Sequence, residues 1–320
     1  MTPRTYASPE AFKQALEQRL RSSAKTGAEF ARKRQLLVFD RFLARIVAVL
    51  GDAATLKGGL VLELRLERAR TTKDVDLRMV GSPDDVLAKL QEAGRQNLGD
   101  FMAFEVGPDD DHPEIQNDGM QYDGLRFRAE CKLAGKLYGQ PFGVDVAFGD
   151  PILGEPEVVV AEDVLAFAGI APPTLRLYPI ETHIAEKLHA MVDLGVANSR
   201  MKDYFDVWFL SRHFEIDGAD LALAIQSTFD RRETPIPFGI PAGLRSEFSE
   251  SVAKLAQWKA FVRRTRLAVE APSLPEAVAA VGALALPVLH ELAEARPFTG
   301  AWNASGNTQW VREDRTWEMR

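Results

Sequence analysis

Lys57-Gly58-Gly59, followed by Thr72-Lys73-Asp74-Val75-Asp76, is the segment of this 320-residue chain whose residue types and spacing best suit chemistry. A Gly-Gly turn lets backbone amides approach a phosphate closely, because neither residue carries a Cβ. In an Asp-x-Asp pair on a strand the two carboxylates share one face, about 7 Å apart at the backbone. A third acid, Asp145, lies on the polar face of another alternating stretch. If those two strands are neighbours, three carboxylates converge. Two like charges ~4 Å apart repel by about 4 kcal/mol at an effective dielectric near 20. Unpaired acids so placed raise one another's pKa or bind a cation. Hard carboxylate oxygens suit Mg²⁺, which takes a few protein oxygens together with substrate phosphates. Such ions align an attacking hydroxyl with a pyrophosphate leaving group. The competing reading is that Asp74 and Asp76 are only the solvated side of a strand.

Further along, Ile180, Ile184, Lys187 and Met191 fall in one helical stripe, which sets a lysine inside an apolar face. A buried ammonium tends to lose its proton unless an anion faces it. That anion is either a ligand such as a triphosphate or a carboxylate of the core. Asp203 falls near the start of a helix with Ser199 as a cap, where the helix dipole favours an acid whether or not it has a function. Thr72 stands two residues before Asp74. A phosphate there would bring about two negative charges to the carboxylates, a route to inactivation. His183 and His189 share a helix without a third ligand at metal spacing and read as structural. Cys131 faces the apolar side of its strand and reads as core.

The elements that position these residues follow from periodicity. Residues 9–50 read as largely helical, and a short helix-like run over 60–66 follows the glycines. Residues 74–80 alternate as a half-buried strand, with Val75, Leu77 and Met79 on one side. Ser82-Pro83-Asp84-Asp85 is a helix start, with a Ser cap, Pro in the first turn and acids beside it. That helix is expected to run to about residue 92. Strands are expected over 101–106, 125–133 and 142–148. The second of these puts Arg126, Arg128, Glu130 and Lys132 on its polar face. From Pro151 onward strand signals fade. Helices are expected near 180–194, 199–212, 217–229, 245–265 and 275–295. A polar tail carrying Trp302, Trp310 and Trp317 follows. Those rings either pack on the body or stack bases. This division predicts a helical extension over 1–50, a mixed-sheet α/β domain over 51–155, a helical domain over 156–296 and a tail over 297–320.

Composition sets the outer limits. Apolar residues make up 46% and charged residues 27%, values that exclude a disordered or fibrous chain. The formal net charge of −7 excludes non-specific coating of nucleic acid, so contact with RNA needs a local basic patch. Candidates are the Arg126, Arg128 and Lys132 face, Arg231-Arg232, and Arg263, Arg264 and Arg266. A single cysteine admits no internal disulfide, which fits a reducing compartment. The apolar run over 277–289 is too short to span a bilayer and contains Gly282 and Pro287. The polar N-terminus has no signal-peptide pattern. A cytoplasmic protein is expected.

Lys57-Gly58-Gly59 with Arg70-Thr71-Thr72-Lys73-Asp74-Val75-Asp76-Leu77 resembles the start of the nucleotidyltransferase toxins of the AbiEii/AbiGii and MenT type. Ile184-Ala185-Glu186-Lys187-Leu188 and Arg200-Met201-Lys202-Asp203-Tyr204-Phe205-Asp206 resemble their later helical motif. The likeness spans about 57–210. It implies a polymerase-β-like nucleotidyltransferase fold and transfer of a nucleoside monophosphate from an NTP to an acceptor. In several members that acceptor is the 3′ end of tRNA, and a cognate antitoxin blocks the activity. On this resemblance Asp74, Asp76 and Asp145 hold Mg²⁺, with Asp145 also a base. Gly58, Gly59 and Lys187 hold the triphosphate, while Lys57, Thr72 and Asp203 support the cleft. Gly59 stands where Ser is common, so its phosphate contact comes from backbone amides. The rival readings are the same fold acting on a protein or small molecule, and a non-catalytic nucleotide- or RNA-binding module.

Overall fold

The computed structural model describes residues 4–65, 72–109, 114–117, 120–148, 152–265, 270–304 and 308–311. Arg70, Thr71, Arg266 and Trp317 lie outside them. The chain divides into two compact units. The first comprises Met1–Leu64, Thr72–Asp150 and Pro156–Leu177, and the second comprises Arg65–Thr71, Pro151–Glu155 and Tyr178–Arg320. Residues 1–50 therefore belong with the first unit, and so do 156–177.

In chain order the first unit opens with α1 (Pro9–Ser22) and α2 (Gly27–Leu50), then β1 (Ala54–Lys57) and α3 (Gly58–Arg65). There follow β2 (Val75–Met79), α4 (Val86–Arg95), β3 (Met102–Pro108), β4 (Glu114–Asn117) and β5 (Met120–Leu133). The unit closes with β6 (Lys136–Leu137), β7 (Phe142–Phe148), β8 (Glu157–Val160) and β9 (Thr174–Leu177). The helix starts are local chemistry. Ser8 and Thr26 accept backbone N–H bonds at the starts of α1 and α2, and Ser82 does so for the short 3₁₀ turn ahead of α4.

The nine strands pair in one mixed sheet, with the order β3-β5-β7-β2-β1-β9-β8; β4 and β6 pair with β5. β1 runs antiparallel to β2, and β2 runs parallel to β7. One sheet face is apolar: Val75, Leu77, Val144, Val146, Ala129 and Cys131 are buried with Leu37, Phe39, Phe42 and Ile46 of α2 and Val86 and Leu90 of α4. Burial pushes the Cys131 thiol up to about 12, as suits a core residue. β8 and β9 were not expected. Each is four residues long and follows directly on a proline, too short for an alternation to register.

Beneath this core lies a buried ion cluster. Asp100 accepts from Arg41 Nε at 2.8 Å and from Arg45 Nη2 at 2.6 Å. Burial alone would raise the Asp100 carboxyl, but Arg45 and Arg41 outweigh it and hold it below the usual range. Among the described residues Asp40 is paired with Arg41 alone, at 3.7 Å, against burial and the nearby Asp100 and Glu162. Burial therefore pushes Asp40 up to about 7.

The second unit is helical: α5 (Ile180–Leu194), α6 (Met201–His213), α7 (Gly218–Arg231), α8 (Ser246–Ser249), α9 (Val252–Arg264) and α10 (Leu274–Ala293). The single helix expected over 245–265 is thus two. By length and composition α10 is apolar enough to cross a membrane. Yet Leu274, Val281, Leu284, Val288 and Leu289 are buried within the unit. The tail docks. β11 (Ala301–Asn303) joins β10 (Ile216–Asp217) and β12 (Gln309–Val311) in a small antiparallel sheet. Trp302 and Trp310 are buried, and their indoles donate to the carbonyls of Ser211 and Leu284.

Because Asp40 holds its proton to a higher pH in the folded chain than in the unfolded one, folding stability falls as pH rises from about 4 through about 7. Asp40→Asn is expected to remove that part of the loss. Thermal melts at pH 5 and pH 8 check this, and an unchanged difference between the two melting points would contradict it.

Candidate active site

The β1–β2 and β2–β7 registers place the residues singled out above. Lys57 lies opposite Asp76, Asp76 opposite Asp145, and Asp145 opposite Arg126 of β5. In-register neighbours point to one face of a sheet. The polar face therefore carries a row across four adjacent strands: cation, carboxylate, carboxylate, cation. The two strands bearing the acids are neighbours, as the convergence of carboxylates requires.

Asp145 is held in a fork. Arg126 Nε and Nη2 each donate to one of its oxygens at 2.7 Å. The bond to Asp145, with Asp74 and Asp109 nearby, raises the affinity of Arg126 for its proton. Asp74 is exposed and Asp76 half-buried. Among the described residues no group of three or more His, Cys, Asp or Glu side chains is gathered as a metal-ligand set. The three acids share a face, but both oxygens of Asp145 face an arginine. The hard oxygens of Asp74 and Asp76 still fit a divalent cation.

Two glycines make room for these acids. Gly58 ends the β1–α3 turn with φ +73°, a conformation few side chains adopt, and a Cβ there would overlap the Asp76 carboxylate. Gly143 flanks Asp74, and a Cβ there would stand 2.7 Å from Asp74 Oδ1. Gly59 lies in the first turn of α3. Thr72 is buried; its hydroxyl donates to the Asp74 carbonyl at 3.3 Å, and its carbonyl accepts from Arg32 at 3.0 Å. Gly143 was not read as a site residue, and Arg126 was read only as part of a basic face that could meet RNA. The signal for Gly143 was an isolated glycine inside an alternating strand, which marks close approach. Arg126 carried no such signal, since its partner is set by register alone.

Lys187 and Asp203 belong to the second unit. Lys187 is buried on α5, and its ammonium lies 2.7 Å from Asp203 and 2.8 Å from Asp206, both on α6. The core-carboxylate alternative is the arrangement found. Arg200 Nε lies 2.6 Å from the other Asp203 oxygen. Burial would raise Asp203, but Lys187, Arg200 and Lys202 bring it down to about 2. Arg200, not Ser199, occupies the cap of α6, without a side-chain cap bond. His189 is structural: its ring lies 2.8 Å from the Thr234 hydroxyl and 3.1 Å from Arg232, and burial pushes it down to about 4. On the basic face of β5, Lys132 pairs with Glu105 and Arg128 lies near Glu130.

A mixed α/β sheet that presents carboxylates on adjoining strands beside a glycine turn suits metal-assisted chemistry on a phosphate. The model of the family described as nucleotidyl transferase AbiEii toxin, type IV toxin–antitoxin system, matches residues 41–280. Among solved structures, the MenT4 nucleotidyltransferase toxin of Mycobacterium tuberculosis is similar at a TM-score of 0.49 and 17% identity. That match covers 89% of this chain and 99% of the toxin. JHP933 of Helicobacter pylori is similar at a TM-score of 0.44 and 20% identity, over 82% of this chain and 94% of that one. No curated protein matches the chain. With the family model covering most of its length, the chain belongs to the AbiEii nucleotidyltransferase toxins. An NTP substrate and an antitoxin partner follow from that membership.

Gly58→Ala is expected to displace Asp76 and lower nucleotidyl transfer by about 100-fold or more, since ångström-scale misplacement costs that much. Gly143→Ala, which disturbs Asp74, acts in the same direction. Rates on variants shown by circular dichroism to be folded check both; full activity would mean that the acids tolerate the shift. Lys187→Met leaves Asp203 and Asp206 buried without their lysine and is expected to cost about 3–5 kcal/mol. A urea midpoint equal to that of the parent chain would contradict it.

Proposed function

We propose that this nucleotidyltransferase moves a nucleoside monophosphate from an NTP to the 3′ end of tRNA, with Mg²⁺ held by Asp74 and Asp76. The observation that carries the reading is the Lys57–Asp76–Asp145–Arg126 row beside the Gly58 turn. When bound, the ion supplies positive charge to the triphosphate and to the pyrophosphate that leaves.

The chain's own residues do the rest. Gly58 and Gly59 let backbone amides come close to phosphate oxygens. The acceptor hydroxyl oxygen bonds to the α-phosphorus, the bond from that phosphorus to the bridging oxygen breaks, and pyrophosphate departs. Asp145 takes the hydroxyl proton, with Arg126 fixing the direction of its carboxylate. Lys57 balances Asp76 from the next strand, and Thr72 fixes the backbone at Asp74.

Purified protein incubated with Mg²⁺, total tRNA and each labelled NTP in turn tests the reading. Label is expected on tRNA and is expected to be lost in Asp76→Ala, which should remain folded. Label on protein instead of RNA would move the acceptor to a side chain. Transfer retained in folded Asp76→Ala would sink the site.

A further inference from the structure

Ser199, Arg200 and Lys202 around the start of α6 and Gln257, Phe261 and Arg264 of α9 line a cavity of about 470 Å³. Its two remaining lining residues are apolar, so among the described residues no carboxylate faces it. The volume suits a nucleotide-sized ligand. Arg200 turns its Nε to Asp203 and stands half-buried at the cavity wall. Lys202 and Arg264 are exposed. Three cations, a hydroxyl and a carboxamide thus surround a space that also has one aromatic wall.

From this cavity we infer a subsite for a strand of RNA, with a phosphodiester on Arg200, Lys202 and Arg264 and the adjoining base against Phe261. Arginine and lysine supply the charge that a phosphate needs, and an aromatic face accepts any base by stacking. A chain of net charge −7 meets RNA only where cations gather locally. This cavity is such a place, with donors already oriented by α6 and α9. The same phosphate chemistry would also admit a free nucleoside triphosphate. The RNA assignment rests on the proposed function for its choice of acceptor. The cavity itself does not.

The test uses the full chain carrying Asp76→Asn, so that binding is read without transfer. A fluorescein-labelled single-stranded RNA 12-mer is titrated by anisotropy at several salt concentrations, against the parent and against Lys202→Ala/Arg264→Ala. Both side chains are exposed, so the double variant should melt with the parent. The expected result is RNA binding weakened about 10- to 100-fold. The slope of log K against log salt should fall by about 1.4, as the loss of two phosphate contacts to a single strand requires. Phe261→Ala should weaken binding while leaving the slope unchanged. Binding of labelled NTP with Mg²⁺, measured by equilibrium dialysis, should stay as in the parent. RNA affinity and slope unchanged in the double variant would overturn the proposal. NTP binding lost in that variant, with or without RNA binding, would assign the cavity to the free nucleotide and overturn it as well. Transfer to tRNA by the chain without Asp76→Asn, with RNA binding unmoved by the double variant, would remove the cavity alone. A drop in RNA binding without any transfer would leave the cavity standing and remove the tRNA reaction.

Discussion

The parallel register of β2 on β7 is the constraint on which the site depends. It sets Asp76 and Asp145 side by side, close enough that two anions repel by about 3 kcal/mol at an effective dielectric near 20. Two cations flank the pair in the same row, Lys57 on one side and Arg126 on the other. A slip of one residue would turn every side chain of β2 to the opposite face, sending Val75 and Leu77 to water and the acids into the core. The apolar contacts of Val75, Leu77, Val144 and Val146 therefore do more than build a core. By fixing register they fix which charges meet.

Much of this was legible before any coordinates. Alternation in 142–148 and 74–80 identified both strands and the side on which each acid lies, because period two is a property of the chain itself. Long helices were legible through their own period, although the stretch read over 9–50 is two helices, α1 and α2. Strand order and register were not, because they arise from contacts between segments distant in sequence. Arg126 illustrates this: its partner Asp145 lies across a strand pair, and nothing local to residue 126 distinguishes it from Arg128. The short strands β8 and β9 escaped because four residues leave no room for a periodic signal.

Lys187 shows how a correct observation supports two readings. Its helical phase correctly predicts burial, and burial correctly demands an anion. The anions found are Asp203 and Asp206, three residues apart on the neighbouring helix, which the periodicity of α5 cannot see. An ion network of this kind fixes α5 against α6, and it leaves Arg200 with one nitrogen committed to Asp203. A residue anchored on one side by a buried carboxylate has its side chain fixed in place.

Net charge adds the final step. A chain with more acids than bases gains nothing from long-range attraction to a polyanion, and its own field opposes the approach. Affinity for a phosphate must then come from short-range, directed donors. Backbone amides at a glycine turn and guanidinium groups held by carboxylates are both of that kind. In each the acid is not the ligand's adversary. It is the group that positions the donor, as Asp203 does for Arg200. An acidic protein that handles nucleotides can use its negative charge in this way, to orient a few cations instead of spreading many.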